Sequence, residues 1–356
     1  MRKISKERYA FIRNQQKLLI LKRKRRKNRK EISISALFST KVRLNPIKLN
    51  APEIFCIHDP VARSKLHFFL RNLRSTVISK KPVLIDFSST QKMVASGTLL
   101  FVAELRRIFR LTKGQVPIRC IPPRNTKAWQ VLEQIGVLSL LKCRKRVIPT
   151  DGDVVHWRFA CGNQVLGEKY DDILGHYDGK LTDGIAKGFY HGLTEAMTNC
   201  RQHAYIEVRS DNLNIINEPT DWWMFSQEKD GLLTVVFCDL GVGIPTTLPI
   251  KRPALWQRLV QTCFGKVTDS QAIREAIEDS KSRTGKHYRG KGLRQLLEVA
   301  KISSKGTLIV YSNNGIYLYD TDRELDCRDY NESIAGTLIA WQIKINSSGN
   351  IQDANN

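Results

Sequence analysis

The sequence predicts a small α/β sandwich followed by a two-layer α+β unit. Two observations carry that expectation. From about 52 to 146, short β-rich runs alternate with amphipathic helical runs, the pattern of a compact α/β layer. From about 150 to 345, many strand-like runs lie beside a few helical ones, as when a sheet forms one layer and helices the other. The composition, 42% hydrophobic and 26% charged over 356 residues, leaves room for both units. No apolar run approaches the roughly 18 residues needed to cross a bilayer, so no transmembrane segment is expected.

The chain opens with a basic arm and linker, residues 1–51. Residues 1–30 hold fourteen Lys or Arg against one acid, Glu7, and so carry +13 of the net +24. Such an arm attracts polyanions by releasing their counterions, which makes residues 1–30 a candidate nucleic-acid contact. The short patch LLIL (18–21) beside those charges also permits contact with an anionic membrane surface.

In the first unit, 52–146, the apolar spacing predicts a helix over 60–77. A strand follows at VLIDF (83–87), then a helix over 92–110 and a strand over 116–121. Asn125 is placed to cap a helix running over 125–141. In the second unit, 150–345, a strand is expected over 154–161 and helices over 168–203. Strands are expected at 206–210, 222–227, 232–240, 306–312, 315–320 and 336–345. The tail, 346–356, is polar and expected to be disordered. The eight cysteines are scattered without a CxxC pair, which favours a reducing, cytoplasmic setting and argues against structural zinc.

Four short segments of the second unit carry the chemistry. In GLTEAMTNCRQHAY (192–205), Glu195, Asn199 and His203 recur at four-residue steps and share one helical face. DLGVGIP (239–245) puts an acid, Asp239, at the end of an apolar strand, ahead of Gly241, Gly243 and Pro245. RGKGLRQLLEVA (289–300) is a glycine-rich turn feeding a helix, and GT (336–337) opens the last strand.

In order and form these four segments resemble the GHKL ATPase superfamily of gyrase, heat-shock chaperone, histidine kinases and MutL. The resemblance covers about 165–345 and implies a Bergerat-type ATP-binding fold with ATP and Mg²⁺ as ligands. By that resemblance Glu195 is the catalytic base that orients a water or hydroxyl toward the γ-phosphate. Asn199 is the metal ligand, since a neutral amide oxygen suits Mg²⁺. Asp239 accepts a hydrogen bond from the exocyclic amine of adenine, a donor that guanine lacks there. Gly241 and Gly243 let the backbone pass close to the purine, and Thr337 supports the same pocket. Gly290, Lys291, Gly292 and Leu293 form the turn and helix start that face the phosphates. The segment between Pro245 and Gly290 is the expected ATP lid. No GxxxxGK[ST] occurs, which excludes a P-loop.

Within the superfamily, TEAMTNCRQHAY looks most like the anti-sigma-factor serine kinases. VLIDFSSTQKMVASGTLL (83–100) resembles the core of STAS domains, the antagonists that those kinases phosphorylate. There Ser96, ten residues beyond Asp86, sits at the position of the phospho-acceptor, although Val94-Ala95 stand where the family has Asp-Ser. As a purely structural residue Ser96 would cap the helix. The resemblance implies an ATP-dependent regulatory switch with ATPase or serine-kinase-like activity, acting on a protein partner or as a homodimer. Another class of reading is a nucleotide-gated nucleic-acid-binding protein that uses residues 1–30. A third is a pseudo-enzyme that holds ATP structurally, which an intact Glu195 argues against.

Overall fold

A computed structural model describes residues 45–209, 211, 219–279 and 292–345, and everything structural below concerns these. The described part belongs to one compact unit that begins at Pro46. Its elements are mixed α/β, with a small parallel sheet at one end and a large antiparallel sheet behind it.

The small sheet has the order β1-β3-β5, all parallel, with β1 at Ile47–Asn50, β3 at Val83–Asp86 and β5 at Ile118–Ile121. A two-stranded ribbon pairs β2 (Ile54–Phe55) with β4 (Lys92–Met93). Helix α1 (Pro60–Ile78) starts at Asp59, whose carboxylate accepts from the Ala62 N–H, with proline in its first turn. Helix α2 (Ala95–Leu111) is buried almost all round, including Leu99, Phe101, Val102 and Leu105. That burial is possible only for a helix covered on both sides. Helices α3 (Thr126–Gln134) and α4 (Val137–Leu140) complete this layer. The sequence predicts a single helix over 125–141, but Gly136 adopts φ +75 and breaks it in two. Asn125 caps α3 as expected, accepting from the Ala128 N–H.

Short helix α5 (Gly152–Val155) precedes β6 (Arg158–Gly162). The strand expected from residue 154 therefore starts four residues later, because the Asp151 carboxylate accepts from the Asp153 N–H and nucleates a helical turn first. Helix α6 (Glu168–Leu174) and the long α7 (Asp183–Asn199) follow, and α7 runs on into a π-helical turn, Cys200–Ala204. Strands β7 (Trp222–Lys229) and β8 (Leu232–Asp239) lead into α8 (Ile244–Lys251), α9 (Pro253–Thr262) and α10 (Asp269–Glu278). After α11 (Gly292–Ile302) come β9 (Gly306–Ser312), β10 (Gly315–Asp320), β11 (Arg323–Asp329) and β12 (Thr337–Lys344). The large sheet has the order β11-β10-β9-β12-β8-β7-β6, with every neighbouring pair antiparallel.

Both faces of this sheet are covered. Val236, Cys238, Leu338 and Tyr311 join the core of the first layer, with α2 lying between the two sheets. Their alternate neighbours Val235, Phe237, Ile339 and Trp341 pack against α7 and α11. The strand expected over 206–210 is not formed at 206–209. Val208 is 47% exposed and Arg209 only 4%, the reverse of what a half-buried strand needs. Three helices occupy 244–278, where a lid is expected, and the remaining lid residues 280–291 lie outside the described residues, as do the basic arm and the tail.

Candidate functional site

Helix α7 begins at Thr182, whose hydroxyl accepts from the Ile185 N–H, and buries Ile185, Phe189, Leu193, Ala196 and Met197 against the sheet. The face beside this stripe carries Glu195 and Asn199. Asn199 donates its Nδ2 to Glu195 Oε1 at 2.9 Å, so its amide oxygen is the atom through which it would hold a cation. Burial raises the Glu195 pKa, with the Asn199 bond opposing. The π turn then places His203 on the same side; such turns recur at functional sites. Burial is the main cause that lowers the His203 pKa, and Lys251 adds to it.

Glu195, Asn199 and His203 form one wall of a cavity of about 640 Å³. The floor is the sheet, with Phe237 and Asp239 from β8 and Thr337 and Ile339 from β12. Gly243 and the start of α8 close one side, and Leu293 with Arg294 at the start of α11 closes another. The volume lies within the usual range of small-ligand pockets, about 300–1,000 Å³.

Asp239 is 5% exposed and lies directly opposite Thr337 in the β8–β12 register. Its Oδ1 accepts from the Gly241 N–H at 3.0 Å, and the Thr337 backbone N–H also donates to the carboxylate. Burial pushes its pKa up to about 6, against the opposing pull of the two N–H groups and of Arg209. Thr337 Oγ1 shares a hydrogen bond with Ser312 Oγ at 3.1 Å, and Ser312 accepts from the Ile244 N–H at 2.8 Å. One small hydroxyl thus ties together β9, β12 and the start of α8.

The two glycines after Asp239 answer to different neighbours. A Cβ on Gly241 would lie 2.1 Å from the Ala204 carbonyl oxygen, so this glycine lets the π turn close onto the loop; it does not line the cavity. Gly243 does line it, at φ +83, and a Cβ there would meet the Asn313 side chain. Gly292 opens α11, whereas Gly290 and Lys291 lie outside the described residues.

Ser96 sits elsewhere. The cap position of α2 is Val94, so Ser96 is one residue inside the helix, 2% exposed, and caps nothing. Its Oγ lies 3.0 Å from His58 Nε2, and His58 Nδ1 lies 2.5 Å from the Tyr311 hydroxyl. His58 and Ser96 border a second cavity of about 340 Å³, floored by Val236 and Ala340. That is the opposite face of the sheet from Phe237 and Ile339, so the sheet stands between Ser96 and Glu195.

The sequence reading missed several lining residues. Lys251 and Arg252 end α8, and Arg294 lies one residue beyond Leu293. Arg252 is paired with Asp279. No motif marks these cations. Among the described residues no group of three or more His, Cys, Asp or Glu could hold a metal, so a metal here would depend on Asn199, water and ligand oxygens. All eight cysteines are free, and no described helix is long and apolar enough to cross a membrane.

Comparison with protein-family models gives no match, and comparison with curated proteins gives none either.

Proposed function

We propose that the 640 Å³ cavity binds ATP and that the chain is an ATP-dependent regulatory protein of the GHKL type, with a Bergerat-like layer behind a STAS-like one. The observation that supports this most is a single one. Glu195, Asn199, Asp239, Gly243, Leu293 and Thr337, drawn from four separated stretches of sequence, line the same cavity.

The chemistry of each wall fits such a ligand. Asp239 offers a carboxylate acceptor at the buried end, where an adenine amine can donate and a guanine carbonyl would be repelled. Phe237 and Ile339 present apolar surface for a purine ring. Lys251 and Arg294, which also line the cavity, supply positive charge suited to a triphosphate. Mg²⁺ held through Asn199 would neutralise phosphate charge. Glu195, its pKa raised by burial, is suited to take a proton from a water directed at the terminal phosphate.

Of the two activities, ATP hydrolysis fits better than phosphorylation of Ser96 within the same molecule, because Ser96 is sealed on the far side of the sheet. A serine of a protein partner, or of a second copy in a homodimer, is the acceptor that serine-kinase chemistry would require. A second reading, ATP-gated nucleic-acid binding in the cytoplasm, rests on the charge of residues 1–30 alone.

The test is Mg-ATP binding, phosphate release and protein phosphorylation measured together on wild type, Glu195→Ala and Asp239→Asn. Glu195→Ala is expected to keep binding and lose turnover by about 10²-fold or more. Asp239→Asn is expected to weaken binding itself. Wild-type turnover by Glu195→Ala removes the base assignment, and no nucleotide binding by wild type removes the reading.

A further inference from the structure

We propose that Arg209, held in place by Glu104 of α2, is a positioning residue for the Asp239 end of the cavity, so that the first layer takes part in nucleotide binding through one buried guanidinium. The proposal rests on the ATP reading above.

Arg209 is 4% exposed and makes bonds in three directions. Its Nε donates to the Ala335 carbonyl at 2.5 Å, and Nη2 donates to Glu104 Oε1 at 2.5 Å and to the Ile334 carbonyl at 3.3 Å. Nη1 reaches Asp211 Oδ2 at 3.3 Å. The two carbonyls belong to the turn that enters β12 and delivers Thr337. That turn is pressed against the strand end bearing Asp239. A Cβ on Gly336 would lie 2.4 Å from the Asp239 carbonyl oxygen, and Ala335 itself has φ +47. Arg209 therefore fastens a tight turn whose next residue pairs with Asp239.

The cluster behind Arg209 reaches deep into the first layer. Glu104 also accepts from Arg74 of α1 at 2.8 Å, and Arg107 lies 2.5 Å from Asp211. Burying such groups costs desolvation, and an apolar cluster of equal volume would hold a core at least as well. The charges thus call for a role beyond holding the core together. Outside this cluster, the buried anion that the charge of Arg209 also reaches is Asp239. The charge of Arg209 indeed opposes the effect of burial on that carboxyl.

Other titratable groups also face Asp239. His203 and Glu195 look across the cavity from α7 and its π turn, as do Lys251 from α8 and Arg294 from α11. The Cys200 and Cys238 thiols are held in their protonated form by burial and by Asp239. Among these groups, Arg209 is the one whose hydrogen bonds also fix the turn before Thr337.

The experiment measures binding of a fluorescent ATP analogue with Mg²⁺ to the full chain from pH 5 to 8, for wild type, Arg209→Gln and Arg209→Lys. The analogue's own titration is common to all three and cancels in the comparison. Wild-type affinity is expected to fall as pH drops through about 6. In Arg209→Gln that fall should move up by about one pH unit, since a buried carboxylate has lost its neighbouring cation. Arg209→Lys keeps the charge but cannot span Ala335 and Glu104 together. It should keep the wild-type pH midpoint and bind about three- to ten-fold more weakly. Should Arg209→Gln not fold, the affinity of Arg209→Lys decides. Coincident wild-type and Arg209→Gln profiles, or wild-type affinity in Arg209→Lys, overturn the proposal and leave the ATP reading standing. No saturable binding by wild type overturns both.

Discussion

At the scale of single residues, the burial of Asp239 sets stability against the recognition proposed for it. Burial pushes its pKa up to about 6, so the native protein holds that proton more tightly than the unfolded chain does. The favourable contribution of the protonated form is present in full below the ordinary Asp range. It is lost as pH rises through about 6, and above that the ionised group costs stability. Asn has the same shape and never ionises. We therefore expect Asp239→Asn to stabilise the fold at pH 8 by about 1–3 kcal/mol and to leave it unchanged at pH 4. Thermal unfolding at the two pH values checks this, and a lower melting temperature at pH 8 would contradict it. The same substitution is the one expected to weaken ATP. A site that gains recognition by spending stability is what a ligand-directed carboxylate should look like.

At the scale of elements, the loop from 239 to 243 is shaped by what packs on it. Gly241 meets the Ala204 carbonyl, and the Val242 N–H donates to that same oxygen at 2.7 Å. A methyl group cannot enter without parting the π turn from the loop. Gly241→Ala is expected to destabilise the chain by roughly 3 kcal/mol or more, and Gly152→Ala, with no atom near its added carbon, by less than about 0.5 kcal/mol. Chemical denaturation of the two variants checks the contrast; similar midpoints would refute it. Elements with a local signal were legible in the sequence: the strands at 306–312 and 315–320 have the bounds that apolar runs and turn glycines imply. Glu195 and Asn199 were legible because helical spacing alone puts them together, and Asp239 because it ends an apolar strand. Elements shaped by distant partners were not. Residues 206–209 read as a strand, but Arg209 answers to Glu104 and Ala335, more than a hundred residues away in each direction. Edge strand β11 carries five charged residues, and its apolar alternation is only Leu325 and Cys327, too short to stand out. Lys251 and Arg294 reach the cavity only because α8 and α11 converge there.

At the scale of the whole described unit, the sequence suggests two units in series, whereas the packing joins them. One contiguous core contains Phe101 and Leu105 of α2 together with Phe225, Val236 and Leu338 of the large sheet. Two further ties cross the same boundary, the Glu104–Arg209 pair and the stacking of the Arg63 guanidinium on Tyr330, 4.2 Å from the ring centre. An interface with a continuous apolar core and buried ion pairs couples the stability of its two sides, unlike the polar contacts that let neighbouring domains move. Stripped of its first layer, the sheet would turn Trp223, Phe225 and Val236 toward water, a patch that favours aggregation. The intact chain is therefore expected to unfold in one cooperative transition, with tryptophan fluorescence and far-ultraviolet circular dichroism giving the same midpoint. A chain lacking residues 46–146 should be insoluble or molten. Two resolved transitions in the intact chain, or a soluble cooperative fold after the deletion, would mean that the first layer stabilises itself alone. The route proposed from α2 through Arg209 to the 640 Å³ cavity would then lack the rigid connection it depends on.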